Sequence, residues 1–200
     1  MKHAIFLHLY YAHLWPEIVN RLKAIPFPYK LYVNLVEGHT DHINVEEHFP
    51  NAVFNISPNQ GMDCGGQLRT LDFWLKYGQN EEFIVFLHSK GKPLTETPEK
   101  TKETDELRNL LWSIVSPEKY PSVEQAFLDE TVGMVGVEEW HRFPGRDHGD
   151  PIPECKYYCD LMNLNNYRMN SFGFIGGTMF FVRSSIFERV FNELDIIKLV

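Results

Sequence analysis

The chain has 200 residues, 44% hydrophobic and 14% aromatic, and carries 19 Lys and Arg against 27 Asp and Glu for a net charge of −8 at neutral pH. This mixture excludes disorder as the main description, and the negative balance argues against a surface built for nucleic acid polymers. No apolar run reaches the ~18 residues that a membrane-spanning helix needs, and the length suits a single domain over residues 1–200.

Ala4 to Leu9 is a short apolar run interrupted by His8 and followed by no cleavage site, so it reads as a first strand and not as a signal peptide. A helix should open near Trp15-Pro16, where proline's missing N–H costs nothing, with Ile18, Val19 and Leu22 on its apolar face. Pro26 and Pro28 end it, and Lys30 to Val36 and Val53 to Ile56 supply two more strands. After the turn-forming cluster Ser57 to Gly61, Leu68, Leu71 and Leu75 mark a second helix. Phe83 to Leu87 reads as a central strand covered on both faces, and polar Gly91 to Asp105 as a loop.

Leu107 to Val115 has helical spacing, and Ser122 to Gln125 has the form of a capping box opening another helix. Val132 to Val137 is expected as a fifth strand and Phe174 to Val182 as a sixth, with Gly176-Gly177 a bulge or a place of close approach. Between them residues 138–170 form a long loop or a small capping excursion. Ser185 to Glu188 is a second capping box, starting a helix through Phe191 and Leu194, and the apolar close Ile196 to Val200 is what a chain continuing downstream would show. Strands alternating with helices predict an α/β fold around a mostly parallel, Rossmann-like sheet of about six strands. Cys64, Cys155 and Cys159 are too few for a disulfide framework and suit a reducing compartment. A cytoplasmic location is expected, with any membrane contact peripheral and at the inner face.

Two segments carry candidate chemistry. Asn59 to Gly66 lies between a strand and a helix, where Gly61 lets backbone approach a ligand and Asp63 stands in the first turn as either a cap or a ligand group. His88, Ser89 and Lys90 follow the most apolar strand, at the sheet edge where open α/β folds bind ligands; a lysine there suits a diphosphate, and His88 suits a metal or a hydrogen bond. Neither His39 and His42 with Asp41, nor His148 ahead of Cys155 and Cys159, has the ligand spacing of a structural zinc site.

The succession Leu7-His8-Leu9-Tyr10-Tyr11, Asn59-x-Gly61-x-Asp63, Leu87-His88-Ser89-Lys90 and Phe174 to Arg183 resembles the rhamnan synthesis protein F family, glycosyltransferase-like proteins of polysaccharide assembly. The resemblance implies a GT-A-type fold that takes a nucleotide sugar and a glycan acceptor. On that basis Tyr10 and Tyr11 would meet the base, Asn59, Gly61 and Asp63 the nucleotide end, His88, Ser89 and Lys90 the diphosphate, and Gly176, Gly177 and Thr178 the sugar. Glu138, Glu139 and Asp150 are the candidate catalytic bases, with Asp147 beside them. The Asp-x-Asp metal motif of many such enzymes is missing. A Mg²⁺ or Mn²⁺ ion, if used, would fall to Asp63 and His88; otherwise the lysines neutralise the diphosphate, or the protein is a non-catalytic sugar-nucleotide binding module. A metal-dependent hydrolase using the histidines is a third reading.

Overall fold

The structure is a computed structural model that describes residues 1–78, 80–93, 95–142, 156–157, 160 and 173–191. In chain order its elements are β1 (His3–Leu9), α1 (Trp15–Lys23), β2 (Tyr29–Val36), β3 (Val53–Ser57), α2 (Met62–Tyr77), β4 (Phe83–His88), α3 (Pro98–Trp112), α4 (Tyr120–Phe127), β5 (Met134–Val135), β6 (His141–Arg142), β7 (Phe174–Ile175), β8 (Phe180–Arg183) and α5 (Ser184–Phe191). A six-stranded sheet has the order β3-β2-β1-β4-β8-β5, with β6 and β7 forming a separate two-stranded ladder.

β1 lies between β2 and β4 and is parallel to both, and β3 is parallel to β2. β8 alone runs against the others, pairing antiparallel with β4 on one side and β5 on the other. The expected α/β architecture with a mostly parallel central sheet is therefore present, in an order compatible with a Rossmann-like fold.

Helices on both faces explain why β1 and β4 read as predominantly apolar runs. Ile5, Leu7, Val33 and Val85 pack in one core with Ile18 and Leu22 of α1, Leu111 of α3 and Val123 of α4. Ala4, Phe6, Tyr32 and Phe86 pack in the other with Leu71 and Trp74 of α2. Strand alternation separates the two sets.

Several boundaries differ from expectation for identifiable reasons. The segment expected as a loop at Gly91 to Asp105 is half helix, because α3 opens at Pro98. Its first two turns project charged residues into solvent, and the inward positions below them are Thr104 and Arg108, so the apolar period is missing there. α4 begins at Tyr120 with Pro121 in its first turn, which leaves Ser122 inside the helix and not at its cap. α2 buries Gly66, Thr70, Leu71 and Trp74, whereas Leu68 and Leu75 flank the buried face. The fifth strand shrinks to Met134–Val135, and α5 starts at Ser184, one residue ahead of the expected box. Phe174 to Val182 is not one strand: a tight turn at Gly176–Thr178, with Gly177 at φ 75°, splits it into β7 and β8. Within 138–170, Glu138–Trp140 forms a 3₁₀ turn and His141–Arg142 pairs with Phe174–Ile175; most of the remaining excursion lies outside the described residues, as does Leu194.

Candidate functional site

Each of the three central strands carries one polar residue near its C-terminal end, and the register aligns them. His8 stands opposite Asn34 on β2 and His88 on β4. Alternation turns all three to the α2 face, where they are 4%, 0% and 5% exposed. Burying them requires hydrogen bonds. His8 Nδ1–H donates to Asn34 Oδ1 at 2.8 Å, and Asn34 Nδ2 donates to Ser57 Oγ at 2.9 Å. His88 Nε2–H donates to the Gly177 carbonyl at 2.9 Å.

α2 crosses this row through Gly66. A Cβ on Gly66 would stand 2.0 Å from His8 Nδ1 and 2.5 Å from Asn34 Oδ1, so this glycine serves internal packing and not the approach of a ligand. Gly61, at φ 76°, is the residue that turns the chain into the helix, and Met62 follows at φ 53°. That left-handed conformation is unfavourable for a side chain such as methionine's, and strain of this kind gathers at functional sites.

Asp63, in the first turn of α2, faces the row. Its Oδ2 accepts a short hydrogen bond from the Thr178 hydroxyl and lies 3.6 Å from His88 Nε2. Burial acts to raise the Asp63 carboxyl; His88, the Thr178 hydroxyl and its own amide together outweigh this and hold it below the usual range. Burial also pushes His88 down to about 4, despite the neighbouring carboxylate. At neutral pH His88 is therefore uncharged, and the Asp63 carboxylate is held by hydrogen bonds and not by an ion pair.

His8, Asp63 and His88 line one wall of a cavity of about 320 Å³, bounded further by Tyr10, Tyr11, Asn59, Met62, Ser89, Lys90 and Gly91. It opens beyond the C-terminal ends of β1 and β4, where the strand order reverses: β2 and β3 lie to one side of β1 and β4 to the other. Such a switch point leaves a crevice in which open α/β sheets bind ligands. Ser89 fixes the rim, since its Oγ accepts from the Tyr10 and Tyr11 amides at 2.8 and 3.1 Å. The Tyr10 ring lies 4.5 Å from that of His39 and meets Tyr11 edge-on at 4.9 Å.

The Lys90 ammonium has no ion-pair partner among the described residues, but its backbone is anchored. Arg108, buried on α3, donates to the Lys90 carbonyl at 2.9 Å while pairing with Glu17 at 3.0 Å and Asp105 at 2.8 Å. Trp112 Nε1 donates to the His88 carbonyl at 3.2 Å. The end of β4 is thus braced from α3 on the opposite face of the sheet.

The chain matches no protein-family model, no curated protein and no solved structure.

Of the expected binding residues, Tyr10, Tyr11, Asn59, Asp63, His88, Ser89 and Lys90 share the cavity, and Gly61 stands at the turn beneath it. Gly177 and Thr178 reach it through the His88 and Asp63 hydrogen bonds. The Cβ directions of Gly176 and Gly177 are already filled by Trp140 and Leu111, which is a packing reason for both glycines. The expected bases Glu138 and Glu139 are exposed on the 3₁₀ turn and do not line this cavity; Glu138 borders a separate groove along Met134 to His141, and Glu139 lies 3.9 Å from Lys119. Asp147 and Asp150 lie outside the described residues.

A divalent ion between Asp63 and His88 does not fit. The imidazole nitrogen nearest Asp63 is Nε2, which carries the proton given to Gly177 and has no lone pair for a metal. Among the described residues no group of three or more His, Cys, Asp or Glu side chains converges as a cation site. Reading each strand separately missed the row: His8 and Asn34 interrupt their apolar runs and His88 closes its own at matching register, and that shared position was the available signal.

Proposed function

We propose that the cavity binds a nucleotide sugar and that the protein transfers the sugar to a glycan or polysaccharide acceptor. The observation that carries this reading is the position of the cavity at the switch point between β1 and β4, with a pair of tyrosines, a carboxylate and a lysine without an ion-pair partner among the described residues on its walls. It is also supported by the convergence of the four sequence blocks that resemble the rhamnan synthesis protein F family, three on the cavity wall and the fourth through Gly177 and Thr178.

Charge sorts the donor's parts. Lys90 is the group suited to the diphosphate, whose negative charge grows as the bond to the sugar breaks. Asp63 would repel phosphate oxygens but accepts hydrogen bonds from hydroxyls, so it and Asn59 suit the ribose or the sugar. Tyr10 and Tyr11 offer aromatic surface to the base.

A second reading, a sugar-nucleotide binding module without turnover, is favoured by the absence of Glu138 and Glu139 from the lining of the cavity and by the lack of an Asp-x-Asp motif in the sequence. The test is thermal melting with a panel of nucleoside diphosphates and nucleotide sugars, each with Mn²⁺ and with chelator, followed by assay of nucleoside diphosphate release in the presence of glycan acceptors. A ligand at about 100 times its Kd adds roughly 2.7 kcal/mol of stability. A shift with release supports the transferase, a shift without release supports the module, and no shift with any donor overturns both.

A further inference from the structure

We propose that His8 is the catalytic base of this site, its Nε2 taking the proton of the acceptor hydroxyl while Asn34 and Ser57 hold the ring. The inference rests on the transferase reading given above.

The case begins with which nitrogen is committed. Asn34 turns its amide nitrogen to Ser57 Oγ and therefore its oxygen to His8, so Nδ1 is the protonated nitrogen of the ring. Nε2 is left with its lone pair and without a hydrogen-bond partner among the described residues, and the side chain forms part of the cavity wall. Gly66 gives the ring its place, because any larger residue would occupy the position of Nδ1. A histidine whose far nitrogen is locked by a hydrogen bond and whose near nitrogen is open is oriented for accepting a proton.

The carboxylate and the second imidazole on the wall, Asp63 and His88, are committed elsewhere. Asp63 accepts from Thr178 and is held below the usual carboxylate range, which makes it a weak base. His88 spends its Nε2–H on Gly177 and is pushed down to about 4. Lys90 is a cation, and burial moves the Tyr11 phenol upward. Burial also lowers His8, while its bond to Asn34 and the Asp63 carboxylate oppose that shift. An imidazolium formed at His8 would thus face a carboxylate.

In the step itself, the acceptor O–H gives its proton to His8 Nε2 as that oxygen bonds to the anomeric carbon. The bond from this carbon to the donor's phosphate oxygen breaks with its electron pair, and the nucleoside diphosphate departs as the anion. Displacement in one step inverts the anomeric configuration, and the proton later leaves the imidazolium for solvent.

Three measurements on the whole chain test this. In His8→Gln, donor affinity read by melting shift should stay within about threefold of wild type while kcat falls by 10²- to 10⁴-fold. In Asn34→Asp, a carboxylate accepting from Nδ1–H makes the ring more basic, so the acid limb of the kcat/KM profile should move to higher pH. Should either variant fail to fold, ¹⁵N spectra of the wild-type histidines still decide the tautomer, and His8 Nε2 should be unprotonated at neutral pH.

A His8→Gln protein that binds donor and transfers at the wild-type rate, a protonated Nε2, or a product of retained configuration would overturn the proposal and leave the transferase reading standing. Wild-type protein that binds donor without transfer or hydrolysis would overturn both in favour of the binding module, and absence of any donor binding would remove the cavity's assignment altogether.

Discussion

Gly66 sets the closeness of α2 to the sheet. Adding one methyl group there brings steric overlap with His8 and Asn34, at a cost of about 1 to 3 kcal/mol, while alanine's better helix propensity returns at most about 1 kcal/mol. Overlap wins, so Gly66→Ala should lower the urea midpoint by the equivalent of ~1 to 2 kcal/mol, and the histidine resonances should shift as the ring is displaced. Lys90 presents the opposite case. Its ammonium has no ion-pair partner among the described residues, so Lys90→Ala should leave stability within about 0.5 kcal/mol. It should weaken nucleoside diphosphate binding by roughly 10- to 100-fold, the worth of a charge-assisted bond; equal affinity in titration calorimetry would remove Lys90 from the site. At this scale the sequence displays Lys90 and Asp63 openly, as charged residues beside strand and helix ends. It conceals Asn34 and Gly66, because what matters about them is a neighbour 26 or more positions away.

α3 is the element whose role is least visible in its residues. Its inner face carries Arg108 where a leucine would be ordinary, and that guanidinium joins Glu17 of α1, Asp105 of its own helix and the carbonyl of Lys90. Glu17 and Asp105 are 37% and 44% exposed and can turn back to water when the arginine is removed, whereas the Lys90 carbonyl loses its donor. Arg108→Met should therefore cost about 1 to 3 kcal/mol, less than a fully buried pair would, because the carboxylates are resolvated. The same variant should weaken diphosphate binding severalfold, since the segment bearing Lys90 loses its brace; melting curves with and without nucleoside diphosphate separate the two effects. The central strands and α1 were legible from apolar period and proline placement alone. The start of α3 was not, because two solvent-facing turns and a polar inner face leave no hydrophobic period to read.

For the molecule as a whole, acid is the vulnerable side. His3, His8 and His88 are buried, and burial pushes His3 and His88 down to about 4 and lowers His8 as well. The unfolded chain binds these protons near pH 6.5 and the folded chain does not, so the stabilisation present above 6.5 drains away as pH falls toward 4. Asp63 and Glu17, both held below their usual range, extend the loss further into acid. At the other end, burial raises the Tyr29 phenol to about 12, so stability should fall as pH rises from 10 toward 12. Urea midpoints should hold nearly level from pH 8 to about 6.5 and decline from there to pH 4; a flat profile throughout would mean that these histidines are not buried as neutral groups.

The antiparallel strand β8 has a bearing on how the protein is made. It joins β4 after just over ninety intervening residues, and the turn before it brings Thr178 to Asp63 and the Gly177 carbonyl to His88. During synthesis the ribosome releases β1 to β4 long before this segment emerges. The nascent chain must therefore carry an uncovered β4 edge, with Asp63 and His88 lacking two of their partners, until translation has passed residue 183. Ligand competence would then arrive late and abruptly, at the moment one short strand slides in beside β4, and a ribosome-stalled series of lengths should show it as a step and not a slope.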